Sequence, residues 1–235
     1  MNKQRGFTLV ELIMVIVLLG IVATISTQFV GYSVQGAIDI SDRQQKALKA
    51  VVLSERISRE LRQAIPGSLE LEVDGNCLRF VSSENGGIYK EEFEDGNRVY
   101  KPVAPDVDTN DEMVVVASPS GQLTELGDLS SPTDGSPAAR FYVVGEVVLY
   151  FLDESVSRLY RQSFSDLSST CSVSDSSTAS LLATGIKTGG DPLFNVEAPD
   201  LKRNALVNVS FIIQNSDSDN EPLSFSQTLQ VRNVP

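Results

Sequence analysis

The sequence predicts an α+β protein: a long N-terminal helix, first membrane-spanning and then amphipathic, packed on an antiparallel β-sheet head. Three observations predict it. The 24-residue run Phe7–Val30 is apolar apart from Glu11. From Asp39 to Ile65, apolar residues recur at spacings of three, four and seven. After Pro66-Gly67 the pattern changes to period two, interrupted by turns rich in Asp, Ser, Gly and Pro.

Residues 1–6, Met-Asn-Lys-Gln-Arg-Gly, are short, polar and basic. The apolar run that follows spans about 36 Å as a helix, enough for a hydrocarbon core of about 30 Å. Lys3 and Arg5 precede it, and the positive-inside bias puts the N-terminus in the cytoplasm and the remainder outside. Beyond the run, Ala47, Ala50, Val51, Ile57, Leu61, Ala64 and Ile65 form an apolar stripe that should face the head. Ile65 precedes a proline, which disfavours helical geometry, so the helix should run from about Phe7 to Ile65. Gly31 and Gly36 are weak points where a bend or local melting is plausible. The implied organisation is leader 1–6, transmembrane half 7–30, amphipathic half 31–66 and β-rich head 67–235.

The period-two segments are Ser68–Val73, Cys77–Ser82, Glu112–Ala117, Arg140–Val144, Glu146–Leu152, Val156–Gln162, Ala205–Gln214 and Leu223–Val231. The last two flank an Asn-Ser-Asp-Ser-Asp-Asn-Glu-Pro loop and read as a hairpin, and Asp153-Glu154-Ser155 should turn a second one. Residues 84–96, 104–111, 118–137 and 163–180 read as loops.

Composition narrows the function. The 235 residues carry 31 acids against 19 bases, a formal charge of −12. Such a field does not favour nucleic acid. There is no histidine, which removes the Ser-His-Asp and Cys-His constellations and any His-containing zinc site. No catalytic residue is expected.

Glu11 is the residue that a plain signal-anchor does not explain, because a carboxylate in an apolar helix is expensive. Lys3-Gln4-Arg5-Gly6-Phe7-Thr8-Leu9-Val10-Glu11-Leu12-Ile13 resembles the class III signal sequence of type IV prepilins and type II secretion pseudopilins. The resemblance implies a type IV pilin-like fold. It implies cleavage between Gly6 and Phe7 by a membrane aspartyl prepilin peptidase and N-methylation of Phe7. It also implies an assembly contact in which the Glu11 carboxylate meets the Phe7 amine of a neighbouring subunit. The partners it implies are the peptidase, other major and minor pilins, the inner membrane and the pilus assembly platform. The head would sit in the periplasm and then in the fibre. Major pilins of the family usually carry a mid-helix proline, and this chain has none before Pro66. Val147–Gln162 resembles a strand-turn-strand that recurs in minor pilins and pseudopilins, and Glu55–Ser68 with Cys77–Val81 and the C-terminal Gln230–Pro235 resemble a minor pilin of the mannose-sensitive haemagglutinin (MSHA) type. A minor pseudopilin of a type II secretion system is the alternative.

If the head is exported, Cys77 and Cys171 face an oxidising compartment and form either one bridge or two free thiols. A bridge would be worth roughly 4–5 kcal/mol in the chain-entropy model. The acidic stretches 106–112 and 216–221 lack the EF-hand layout, and no metal or other cofactor is expected. Asn208-Val209-Ser210 is a formal glycosylation sequon inside an expected strand, and it reads as chance.

Overall fold

The computed structural model describes residues 8–103, 112–116, 122–129, 131, 135, 139–167, 170–171, 179–197, 205–214 and 222–231. Helix α1 covers Leu9–Leu61, 53 residues without interruption. It continues through Gly20, Gly31 and Gly36, so the expected melting is absent; helical hydrogen bonding over so long a run outweighs three glycines. The chain divides into two compact units, residues 1–47 and 48–235.

The helix ends four residues earlier than the proline rule suggested. Gln63 N–H donates to Glu60 O at 3.0 Å and Ala64 N–H to Leu61 O at 3.2 Å, so the last turn tightens. The next residues then join a sheet: Ala64 bridges Ser82, and Ile65 N–H donates to Val81 O at 2.8 Å. A sheet partner for their backbone groups takes them out of the helix before Pro66 is reached.

Every strand pairing is antiparallel. The first sheet contains β1 (Glu70–Glu72), β2 (Cys77–Glu94), β3 (Asn97–Pro102), β4 (Met113–Val116), β5 (Leu123–Glu125), β6 (Arg140–Asp153), β7 (Arg158–Phe164) and β8 (Ser180–Thr184). The long strands β2 and β6 form its spine. The second sheet contains β9 (Ile186–Lys187), β10 (Phe194–Glu197), β11 (Ala205–Ile213) and β12 (Leu223–Val231). The expected hairpins are present: β6 with β7 around Glu154–Ser157, and β11 with β12.

Several loop assignments give way to strands. Most of residues 84–96 is strand: β2 continues to Glu94 and turns at Asp95-Gly96 into the unforeseen β3. Its polarity misled because this ribbon is solvent-exposed and held by cross-strand charges, with Arg98 on Glu91 at 2.5 Å and Lys101 on Glu92 at 3.5 Å. Arg140–Val144 and Glu146–Leu152 are one strand, β6, because β2 pairs along both halves across two register shifts. The expected loop 118–137 contains β5 and a 3₁₀ turn at Leu126–Asp128. The short strands β8, β9 and β10 were not foreseen either.

The core lies where the second part of α1 meets both sheets. Ala50, Leu53, Ile57 and Leu61 pack with Leu78, Phe80, Val148 and Tyr150 of the first sheet and Phe194, Val207 and Phe211 of the second. This seam corrects the stripe read from sequence. Ala47 is exposed and Val51 is 52% exposed, whereas Leu53 is buried. Leu53 lies three residues after Ala50 and four before Ile57, so it falls on the buried line; Val51 is turned about 100° away from Ala50.

Candidate assembly site at the N-terminal helix

The start of α1 is built by Thr8. Its carbonyl accepts from Glu11 N–H at 3.1 Å and Leu12 N–H at 3.2 Å, and its hydroxyl accepts from Glu11 N–H at 3.3 Å. Thr8 is therefore the N-cap and Glu11 occupies the third helical position, the spacing of a capping box. There the carboxylate faces the positive end of the helix dipole. This gives Glu11 a local role that sequence reading missed, although Thr-x-x-Glu was visible. Gly6 and Phe7, the expected cleavage and methylation residues, lie outside the described residues.

The apolar run has no cover of its own. Leu9, Ile13, Ile16, Leu19 and Phe29 are all more than half exposed, and their apolar neighbours are exposed as well. The helix is long and apolar enough to cross a membrane. Two of its hydroxyls are satisfied internally: Thr24 donates to Ile21 O at 2.8 Å and Thr27 to Thr24 O at 2.9 Å. That removes the cost of carrying them through an apolar medium.

Residues 1–27 match the model of the prokaryotic N-terminal methylation motif. The N-terminal segment is that of a type IV prepilin- or pseudopilin-like protein. Together with the long helix and the antiparallel head, this is a type IV pilin-like α+β arrangement. No curated protein and no solved structure matches the chain. A prepilin-type motif implies processing by a prepilin peptidase, a membrane-anchored chain and a structural rather than catalytic task.

In the head, Cys77 and Cys171 are joined in a disulfide with Cα atoms 6.3 Å apart. It lies beside Phe151 and Tyr160, whose rings stack at 5.2 Å. The arriving segment is held twice more: Cys171 N–H donates to Glu72 Oε2 at 3.0 Å, and Arg79 donates to the Leu167 carbonyl. Among the acidic stretches, 106–111 and 216–221 lie outside the described residues. Among the described residues no cluster of three acidic or cysteine side chains could hold a metal. Asn208 is exposed within β11, paired with Thr228 across the ladder.

Sequence reading also missed the lock between α1 and β7. Arg161 Nε donates to Glu60 Oε2 at 2.7 Å, with both side chains about four-fifths buried at 21% exposed. Glu146 stands at 3.8 Å from Arg161 and Arg56 at 3.5 Å from Glu60. Burial is the largest single influence and opposes the Arg161 charge, but the hydrogen bond and charge of Glu60, with Tyr150 and Glu146, together outweigh it and hold the guanidinium above its ordinary value. Tyr150 is fully buried nearby. Burial first, and the Glu60 carboxylate second, push its phenol far above the ordinary range, so it stays neutral. The signal was Leu159-Tyr160-Arg161: alternate residues share a face, and Leu159 is buried in the core that packs on α1.

Proposed function

We propose that the chain is a minor pilin, similar to MshO of the MSHA pilus, that assembles through its N-terminal helix into a type IV pilus. The observation that carries this reading is the methylation motif opening a 53-residue helix whose apolar first part is uncovered. In this reading the leader 1–6 is cut between Gly6 and Phe7, and Phe7 is N-methylated. The mature chain is held in the inner membrane by its first helical half, with the head in the periplasm. Function follows from polymerisation: helices from several subunits cover one another's apolar faces, and Glu11 meets the Phe7 amine of a neighbour. A low-copy subunit of this kind helps to initiate or cap the fibre. Glu55–Ser68 with Cys77–Val81 and the C-terminal Gln230–Pro235 support the MSHA-type assignment by resemblance.

The test has two parts. Mass spectrometry of the mature protein should find N-methyl-Phe7 at its terminus; any other terminus removes the processing step. Deletion of the gene should abolish or reduce surface pili and leave protein secretion intact. Loss of secretion with normal pili would assign the chain to a type II secretion pseudopilus instead.

A further inference from the structure

One edge of β2 pairs with β6; the other is covered in two stretches and open between them. On that other side β1 and then the strap after α1 lie against its first part, where Ser83 N–H donates to Gln63 O at 2.8 Å. Further along, β3 pairs from Tyr89 onward, and Val103 N–H donates to Ile88 O at 2.8 Å. Among the described residues, no strand pairs with residues 84–87 on this side. The N–H of Gly86 is held only by the neighbouring side chain, Asn85 Oδ1, at 2.9 Å.

A groove of about 640 Å³ sits at this gap. Its walls include Arg62, Glu84, Asn85, Gly86, Arg140 and Tyr142. Gly86 and Gly87 present no side chain, so another backbone can approach closely. Ile88 at its rim is 57% exposed. Both arginines are exposed, and neither has a carboxylate partner among the described residues; Arg62 reaches only Ser58 Oγ at 3.5 Å. Among the described lining residues these two guanidiniums outnumber the one carboxylate, Glu84, in a chain of net charge −12. They make a locally cationic site that a carboxylate would fill, and fork geometry favours bidentate contact.

We propose that this gap is a docking site for an extended acidic peptide segment of a partner protein. The segment adds a short strand to β2 at residues 84–87 and sets its carboxylates on Arg62 and Arg140. Strand addition gives affinity through the main chain, and the arginines give charge selection. An acidic polysaccharide would meet the arginines but leave the strand edge unused. The inference concerns the head alone and is independent of assembly through the helix.

The test uses the full chain in detergent micelles and a fluorescent acetyl-Val-Glu-Val-Glu-Val-Glu-amide. Saturable binding that weakens as salt rises is expected. Arg62→Gln with Arg140→Gln should weaken it about tenfold or more, as two charge-assisted contacts are lost. Arg158→Gln, on the exposed Arg158 of β7, should leave it unchanged. A peptide N-methylated at alternate amides should also bind about tenfold more weakly to the unaltered protein, because it cannot pair with a strand edge. This second arm needs no protein variant and decides the matter even if the double substitution misfolds. Absence of saturation, equal binding of the Val-Lys counterpart, or indifference to amide methylation overturns the proposal. So does binding of polygalacturonate without binding of the peptide.

Discussion

Glu11→Gln is the substitution that separates the two roles the helix start gives this residue. Glutamine keeps the third-position side chain of the capping box and loses the charge. If the Glu11 carboxylate only favours the helix dipole beside the Thr8 cap, the loss is confined to about 0.3–1 kcal/mol. Thr8→Ala should then be the worse change, because the N-cap oxygen is worth about 1 kcal/mol. If Glu11 also neutralises a neighbour's Phe7 amine in an apolar bundle, Gln leaves a buried ammonium unpaired. Breaking such a pair costs about 3–5 kcal/mol, a loss of more than a hundredfold in incorporation. The assay is co-expression of tagged wild-type and variant chains, with each quantified in sheared pili and in membranes. Membrane levels should be equal for all. Incorporation should fall sharply for Glu11→Gln and Glu11→Ala and only modestly for Thr8→Ala. Normal incorporation of Glu11→Gln would refute the amine-pairing argument and leave the cap as the residue's whole role.

Other expectations concern processing and the head. Gly6→Ala should still be cut, while Gly6→Arg should leave the leader attached, read as intact mass. In a double-mutant cycle of Glu60→Gln and Arg161→Met, each change should cost about 2–3 kcal/mol, with a coupling above 1 kcal/mol, because a part-buried charged hydrogen bond of 2.7 Å is lost; additive costs would remove the lock. Replacing Cys77 and Cys171 with Ala should lower stability by about 2–4 kcal/mol in denaturant titrations. That range lies below the full loop-entropy value because Glu72 and Arg79 still hold the segment before Cys171. Leu53→Ala should cost about 2–4 kcal/mol, and Val52→Ala, at a 67% exposed position, no more than about 0.5 kcal/mol.

The parts of the fold legible in the sequence are those fixed by strong local signals. The apolar run, the amphipathic turn pattern and the alternating strands 205–213 and 223–231 each bury a regular face, and each lies where periodicity places it. The ribbon from Tyr89 to Pro102 was obscured because Tyr89 and Tyr100 are the only residues it buries, and the charged residues around them leave no sustained period of two in hydrophobicity. Its turn was nevertheless written in the chain: Asp95-Gly96 adopts φ of 51° and 81°, the positive values that a two-residue hairpin needs. The strands β8, β9 and β10 are two to five residues long, too short for any period to register. At the assembly site the capping box was equally visible, but Glu11 invited an intermolecular explanation that hid the local one. The groove beside Gly86 had no sequence signature, since it arises from where two unrelated segments stop along one strand.

The helix carries two apolar surfaces in its second part, and their different fates explain how one element serves two tasks. Ala50, Leu53, Ile57 and Leu61 are consumed by the head's core. Leu48, Val51 and Val52, on another face of the same turns, are 65%, 52% and 67% exposed. A helix serving only the head would have no reason to place three apolar side chains together on its outer face, since polar residues there would be neutral for packing and better for solubility. Residues 9–40 expose their apolar side chains on every face. The outer stripe therefore continues, along one face and outside the lipid-length run, the apolar character of the helix start. If that stripe meets a neighbouring helix, loss of the charge at Glu11 and of the apolar side chain at Val52 should behave alike: neither touches the head's stability, and each should lower incorporation into the fibre.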